Sequence, residues 1–285
     1  YLGLAAVAAD QEESIASLDP SAEQQLEYSI TRMIARVQTP TKPKIGIISG
    51  LPIFGASPRS FSMQNPSQAM QPWFFITELR KTYDVQEINL SSQEIDGDID
   101  LLVLLHPKNL NNQLQYAIDQ YLLQGGRIIV CIDPFAIMDR SPGPVKASYL
   151  QNLFKSWGFT MEASKAVADF DYATRLRTQD NRVENNPFWI STLPVAFNRD
   201  DIITSELEST ADPVAGGLKK EAANNLTYEP LLVSSVNSAL EETFKLRFGV
   251  GEIRKDFIPS KETYDLAVKI SGFFKTSFPD GPPAA

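Results

Sequence analysis

Three apolar runs without polar alternation stand out along the chain: Ile45-Gly46-Ile47-Ile48, Leu101-Leu102-Val103-Leu104-Leu105 and Ile128-Ile129-Val130-Cys131-Ile132. Each ends in a polar or proline-bearing turn: Ser49-Gly50-Leu51-Pro52, His106-Pro107-Lys108-Asn109 and Asp133-Pro134-Phe135. Uninterrupted runs suit strands covered on both faces, as in a parallel sheet. Ligands of such sheets gather at the carboxyl ends of the strands. The three turns therefore mark one rim on which to look for a site.

Around these runs the apolar spacing becomes helical. After a short N-terminal strand, Leu26, Ile30, Ile34 and Val37 predict one face of a helix that Asp19-Pro20 would start and Thr39-Pro40 would break. A turn-rich loop then runs from Pro52 to Gln71, a length more usual for a functional segment than for a plain connector. Pro72 opens a helix with Phe75, Leu79 and Tyr83 on one face, and Val85 to Asn89 predicts a strand. Asn111 is placed to cap a helix carrying Leu114, Ile118, Tyr121 and Leu122, with Gly125 as its left-handed C-terminal residue.

Strand, helix and strand in this rhythm make βαβ units with right-handed crossovers. The expected fold is α/β, with three αβα layers around a mainly parallel central sheet of the flavodoxin-like kind. Residues 41–278 would form that domain, 1–40 a strand and connecting helix packed on it, and 279–285 the start of a linker. Beyond Ser141-Pro142-Gly143-Pro144 the pattern loosens. A helix is expected over 149–157, ending at Gly158, and mixed short strands over 159–197. A further helix would be capped by Asp200 or Asp201, and a terminal one would span 264–274.

Composition narrows the function classes. A chain of 285 residues with 43% hydrophobic and 21% charged residues can bury a substantial core. Its formal net charge of -9, with no basic cluster, argues against nucleic acid as a partner. The lone cysteine, Cys131, forbids an internal disulfide, and its place in an apolar run suggests an inert core thiol. No segment reaches the ~20 apolar residues of a membrane span, and the opening stretch lacks the basic start of a signal peptide.

Several chemistries lack their residues. No G-x-x-x-x-G-K-[ST] phosphate loop, G-x-G-x-x-G turn or G-x-S-x-G elbow is present. The stretch Asp96-Gly97-Asp98-Ile99-Asp100 begins like a calcium loop but has Leu101 where glycine is needed and Pro107 where glutamate is needed. One histidine and one cysteine cannot supply a usual zinc set. Neither metal nor cofactor is expected, and no catalytic set emerges.

The rim residues remain. His106 is the only histidine, so any imidazole chemistry would be its own; the alternative is a histidine that closes the strand end through hydrogen bonds. Asp133 could hold a ligand or could cap the turn that Pro134 begins. Lys108 and Asn109 could meet an anionic or sugar-like ligand, and Ser49-Gly50 could turn backbone N–H groups towards an anion. The candidate ligand- or partner-binding set is Ser49, Gly50, His106, Lys108, Asn109 and Asp133.

An ordered series of segments carries a family resemblance: Leu26-Glu27-Tyr28 through Thr31-Arg32, Ile48-Ser49-Gly50-Leu51-Pro52, Gln71-Pro72-Trp73, and Asp100-Leu101-Leu102 to His106-Pro107-Lys108-Asn109. It continues through Ala117-Ile118-Asp119-Gln120-Tyr121, Gly125-Gly126, Ile132-Asp133-Pro134, Glu229-Pro230-Leu231-Leu232 and Ser271-Gly272-Phe273-Phe274-Lys275. In these the chain resembles the GldG-type auxiliary component of bacterial ABC transporters, related to gliding-motility proteins. The resemblance implies a domain at the periplasmic face of the inner membrane, anchored by helices outside this fragment and accompanied by separate ATPase and permease subunits. It also implies a fold similar to class I glutamine amidotransferase-like domains, here without their Cys–His–Glu set. The function so implied is non-catalytic binding of a partner protein or ligand at the strand ends. Two alternatives are a small-molecule or glycan receptor, or an enzyme, built around His106 and Asp133, and a purely structural spacer.

Overall fold

The computed structural model describes residues 3–8, 10–18, 21, 23, 26–38, 41–55, 71–148, 150–177, 181–222, 225–248 and 250–283. The expected helix start at Asp19-Pro20, its break at Thr39-Pro40, most of the Pro52–Gln71 loop and the first residue of the 149–157 helix lie outside them. The chain divides into two compact units, one comprising 1–46, 53–86 and 98–100, the other 47–52, 87–97 and 101–285.

In the first unit, β1 (Leu4–Ala8) and β2 (Gln11–Ile15) form an antiparallel hairpin where the sequence suggested a single strand. Helix α1 (Leu26–Gln38) packs against it through Met33 and Val37, while Ile34 is exposed. The covered stripe thus holds buried Met33 and Val37 with half-buried Ile30, because alternating steps of three and four hold a face that Ile34 leaves. Helix α2 (Phe74–Thr82) begins after Trp73 rather than at Pro72, and β4 (Asp84–Glu87) follows at once. Arg36 joins these pieces, bonding to Glu13 at 3.4 Å, to Thr82 Oγ1 at 3.3 Å and to the Lys81 carbonyl.

Strands β3 (Lys44–Ser49), β5 (Leu101–Leu105) and β6 (Ile128–Cys131) join β4 in one sheet, ordered β4-β3-β5-β6. β5 and β6 run parallel, from Leu102 opposite Ile128 to Leu105 opposite Cys131. Between them α3 (Asn112–Leu123) starts as expected, with Leu114 N–H donating to Asn111 Oδ1 at 2.7 Å, and ends before Gly125 at φ 93. Ile48, Leu102 and Leu104 bury one face of this sheet with Leu114 and Ile118 of α3. Leu153, Phe154 and Trp157 of the α4 segment (helix Gln151–Ser156) complete that core.

Coverage on both faces does not extend to β6. It is the sheet's last strand, and Ile129 and Cys131 are exposed, so the thiol is not a core group. An apolar run marks a strand, but its position in the sheet decides how many faces are covered.

The rest of the second unit is largely antiparallel, which the expected three-layer arrangement around a mainly parallel central sheet does not account for. β7 (Phe159–Met161), β12 (Leu218–Lys220), β13 (Thr227–Val233) and β15 (Asp265–Ser271) form a sheet ordered β13-β15-β12-β7. β9 (Ala173–Arg177), β10 (Val183–Ser191) and β11 (Ala211–Pro213) form another, and β8 (Lys165–Asp169) pairs with β14 (Ser238–Glu242). α5 (Val250–Asp256) packs against β10. The architecture is mixed α/β with several sheets.

Two expected helices are absent from the described residues. Within 264–274 the chain forms strand β15 (Asp265–Ser271), because Leu266, Val268 and Ile270 alternate with Ala267 and Lys269 and the strand pairs with distant β13. Period-two alternation and β-branching outweigh helical spacing once a partner strand is present. Asp201 caps a turn instead of a helix, accepting from Ile203 N–H at 2.9 Å through Oδ1.

Candidate functional site

The strand-end turns are built by backbone geometry first. His106 and Asn109 both take left-handed backbone, at φ 48 and 59, so the chain leaves β5 in a sharp bend. Gly50, at the end of β3, sits so close to this bend that a Cβ there would lie 2.7 Å from the His106 carbonyl oxygen. Side chains are excluded from that spot by contact, which is why glycine follows Ser49. The Ser49 hydroxyl accepts the Leu51 N–H at 3.0 Å and is spent on its own turn.

Above the rim lies the long connection from β6 to α4. Its returning limb is held by Ala136 N–H donating to the Lys146 carbonyl and Ser148 N–H to the Asp133 carbonyl, both at 2.8 Å. Ser148 Oγ accepts the Asp133 N–H at 3.0 Å and stands 3.0 Å from His106 Nδ1. The Ser148 O–H can donate to Nδ1 in the tautomer that carries the imidazole proton on Nε2. That nitrogen faces Asp139 Oδ2 at 3.5 Å, too far for a hydrogen bond, and is otherwise unpartnered. His106 is 1% exposed. Burial lowers its pKa, Asp139 opposes that shift, and Lys108 and Lys146 add to it.

The charged centre is Asp139. Its carboxylate takes Lys108 Nζ at 2.7 Å and Ser141 N–H at 2.8 Å, with Lys146 Nζ at 4.0 Å. Burial alone would raise this acid, but the bonds from Lys108 and Ser141 hold it well below the usual carboxylate range. Lys108 Nζ also donates to Ser141 Oγ at 2.9 Å and to the Val145 carbonyl at 2.7 Å, so all three ammonium protons have acceptors. Lys146 reaches the Ser141 carbonyl.

The six residues singled out from sequence therefore separate. Gly50, His106 and Lys108 meet; Asp133 joins them through its backbone and Ser148; Ser49 turns into its own loop, and Asn109 is exposed. Asp133 does not cap its turn with its side chain. Its carboxyl has no hydrogen bond among the described residues, and burial pushes it up to about 6. Asp139, Ser141, Lys146 and Ser148 were missed. The signal that could have found them is length, since the β6–α4 connection far exceeds the ~2 to 6 residues of an ordinary βα loop.

Elsewhere in the second unit, Val183, Glu184, Asn185, Val250, Gly251 and Arg254 line a shallow groove that holds none of these groups. Among the described residues no cluster of His, Cys, Asp and Glu has metal-binding geometry, and no helix is long and apolar enough to cross a membrane.

A family model described as an ABC-type uncharacterized transport system matches residues 42–285, which include the whole rim and the loop that closes it. The chain belongs to this family. Comparisons with curated proteins and with solved structures gave no match. As a member of the ABC-type uncharacterized transport system family, the chain is an auxiliary component of an ABC-type transport system. The matched span carries the Lys108–Asp139 cluster and the antiparallel sheets together, so the family's shared region is larger than the βα part alone.

Proposed function

We propose that this auxiliary component is a non-catalytic, extracytoplasmic domain of the GldG, gliding-motility type, which works by holding partner proteins of the transporter. Its ATPase and permease are separate chains in this reading, and membrane anchoring comes from helices outside residues 1–285. The βα part would correspond to a class I glutamine amidotransferase-like fold. One observation carries the proposal: Lys108, the rim's best candidate for an anionic ligand, has its three donors taken by Asp139, Ser141 and Val145. A strand edge closed by its own loop is suited to rigid support and poorly suited to turnover.

The test is affinity purification of the tagged full-length protein from its own membranes. Recovery of an ATPase and a permease is expected; repeated recovery of neither would refute the proposal.

A second reading places a small polar ligand at the rim, and the half-buried Asp133 carboxyl favours it, being without a hydrogen bond among the described residues. Under that reading Asp133→Ala abolishes transport while leaving the purified complex intact. Under the first, transport survives.

A further inference from the structure

Residues 192–210 form a loop whose ends are pinned together and whose tip displays two isoleucines to solvent. Thr192 N–H donates to the Thr210 carbonyl and Thr210 N–H to Thr192 Oγ1, each at 3.0 Å, with the two hydroxyls 2.8 Å apart. The loop's inner side is fixed by Ala196 and Phe197, which are buried with Leu232, and by Asn198 N–H donating to the Leu231 carbonyl at 2.9 Å. Asp201 accepts Ile203 N–H at 2.9 Å and Ser205 N–H at 2.8 Å, and its carboxylate is paired with Lys269. Thr204 Oγ1 closes the turn on the Asn198 carbonyl at 2.7 Å.

On this stiff frame Ile202 is 91% exposed and Ile203 57% exposed, with Leu193 and Val195 exposed on the same loop. Scattered exposed apolar side chains need no explanation. Two neighbouring β-branched residues held out by a hydrogen-bonded turn are different, because the conformational cost of ordering them has been met before any partner arrives. Compact loops of this kind are frequently functional.

We infer that the 192–210 loop is a docking element that inserts Ile202 and Ile203 into an apolar pocket on the extracytoplasmic face of the transporter's permease subunit. This rests on the proposed function for the existence of that partner. The exposed charges beside the tip choose a protein over a lipid surface. Asp200, Glu206 and Glu208 outnumber Arg199, and an anionic bilayer attracts basic segments. The receiving pocket is accordingly bordered by lysine or arginine, which would meet the acidic rim and steer the encounter.

The experiment places a photo-crosslinking amino acid at position 202 of the full-length protein in its native membrane, with position 258 as control. Ile258 is 79% exposed but lies outside the loop. A crosslink from 202 and not from 258 to the permease subunit, identified by mass spectrometry, is expected. The Ile202→Asp/Ile203→Asp variant should lower copurification of that subunit by about tenfold or more. Crosslinking to lipid alone, to an unrelated protein, equally from 258, or not at all would overturn the inference, as would full copurification by the double variant. The underlying proposal fails separately, when the wild-type protein recovers neither subunit.

Discussion

Lys108 Nζ stands 2.7 Å from Asp139 Oδ2, an ion pair made across the mouth of the strand-end rim by a turn residue of β5 and a residue of the β6–α4 loop. Both side chains are largely removed from water, Asp139 almost entirely. Such a pair need not stabilise the fold relative to an apolar replacement, because desolvating two ions offsets their attraction. Removing one partner is a different matter, since the other charge is stranded.

Asp139→Ala should therefore destabilise the protein by about 3 kcal/mol, and Lys108→Met with Asp139→Leu by less than the single change. Urea titration of the two variants beside the parent makes the comparison. Equal losses from the single and double variants would show that the cluster acts through packing and not through charge. Because Asp139 titrates below the usual carboxylate range, its contribution is present above the unfolded value of ~4 and fades only as pH falls through its depressed folded value.

His106 should make stability fall as pH drops through mildly acid values. Its folded pKa lies below the ordinary 6.5, so the unfolded chain takes up a proton first. Stability then declines from about pH 6.5 until the folded value is reached, and is retained above that window. His106→Asn keeps a residue that tolerates left-handed backbone and offers Oδ1 to Ser148, but cannot titrate. The stability of this variant should be flatter in pH between about 7 and 5. An unchanged slope would assign the acid sensitivity to another group.

Asp133 acts in the opposite direction. With its carboxyl raised to about 6, the native state holds a proton that the unfolded chain has released. Stability thus falls as pH rises from ~4 to ~6, and the full penalty persists above that. Asp133→Asn should be more stable than the parent by roughly 1–2 kcal/mol near neutral pH, an advantage that vanishes at about pH 4. Thermal melts at the two pH values check it, and a pH-independent difference would mean the gain has another origin.

The same residues show what can be read before a structure is known. The runs at Ile45, Leu101 and Ile128 gave three strands because local apolar patterning and short-range capping, as at Asn111 and Gly125, act within a few residues. The antiparallel half was hidden because its strands depend on remote partners: Leu218 pairs with Met161 and Asp265, and Tyr228 with Ile270. Likewise His106 was legible as the sole imidazole, but Ser148 and Asp139 were not, since only the folded path of the β6–α4 loop brings them to it. Asp119 makes the same point: a fully buried helix carboxylate, it accepts Thr276 Oγ1 at 2.6 Å and Ser277 N–H at 3.2 Å from a tail more than 150 residues away.

Gly50 supplies the sharpest test of how the rim is assembled. Its φ is not in the left-handed region, so conformational freedom does not explain it; the reason is the approach to His106. A methyl group would meet the His106 carbonyl oxygen at 2.7 Å and its ring Cδ2 at 3.4 Å. The carbonyl is backbone, in a bend whose N–H bonds to the Cys131 carbonyl at 2.9 Å, and it cannot swing aside without loosening β5 from β6. Gly50→Ala should cost about 1–3 kcal/mol, as overpacking does in a close-packed interior. The loss should appear as faster hydrogen exchange at the His106 amide as well as a lower melting temperature. Gly143→Ala, where a Cβ meets nothing within 4 Å but the backbone lies at φ 107, separates the two kinds of penalty. It should show strain at its own turn with no change at His106. If Gly50→Ala melts like the parent and leaves His106 protected, the strand ends are not in the close contact on which the closed rim depends.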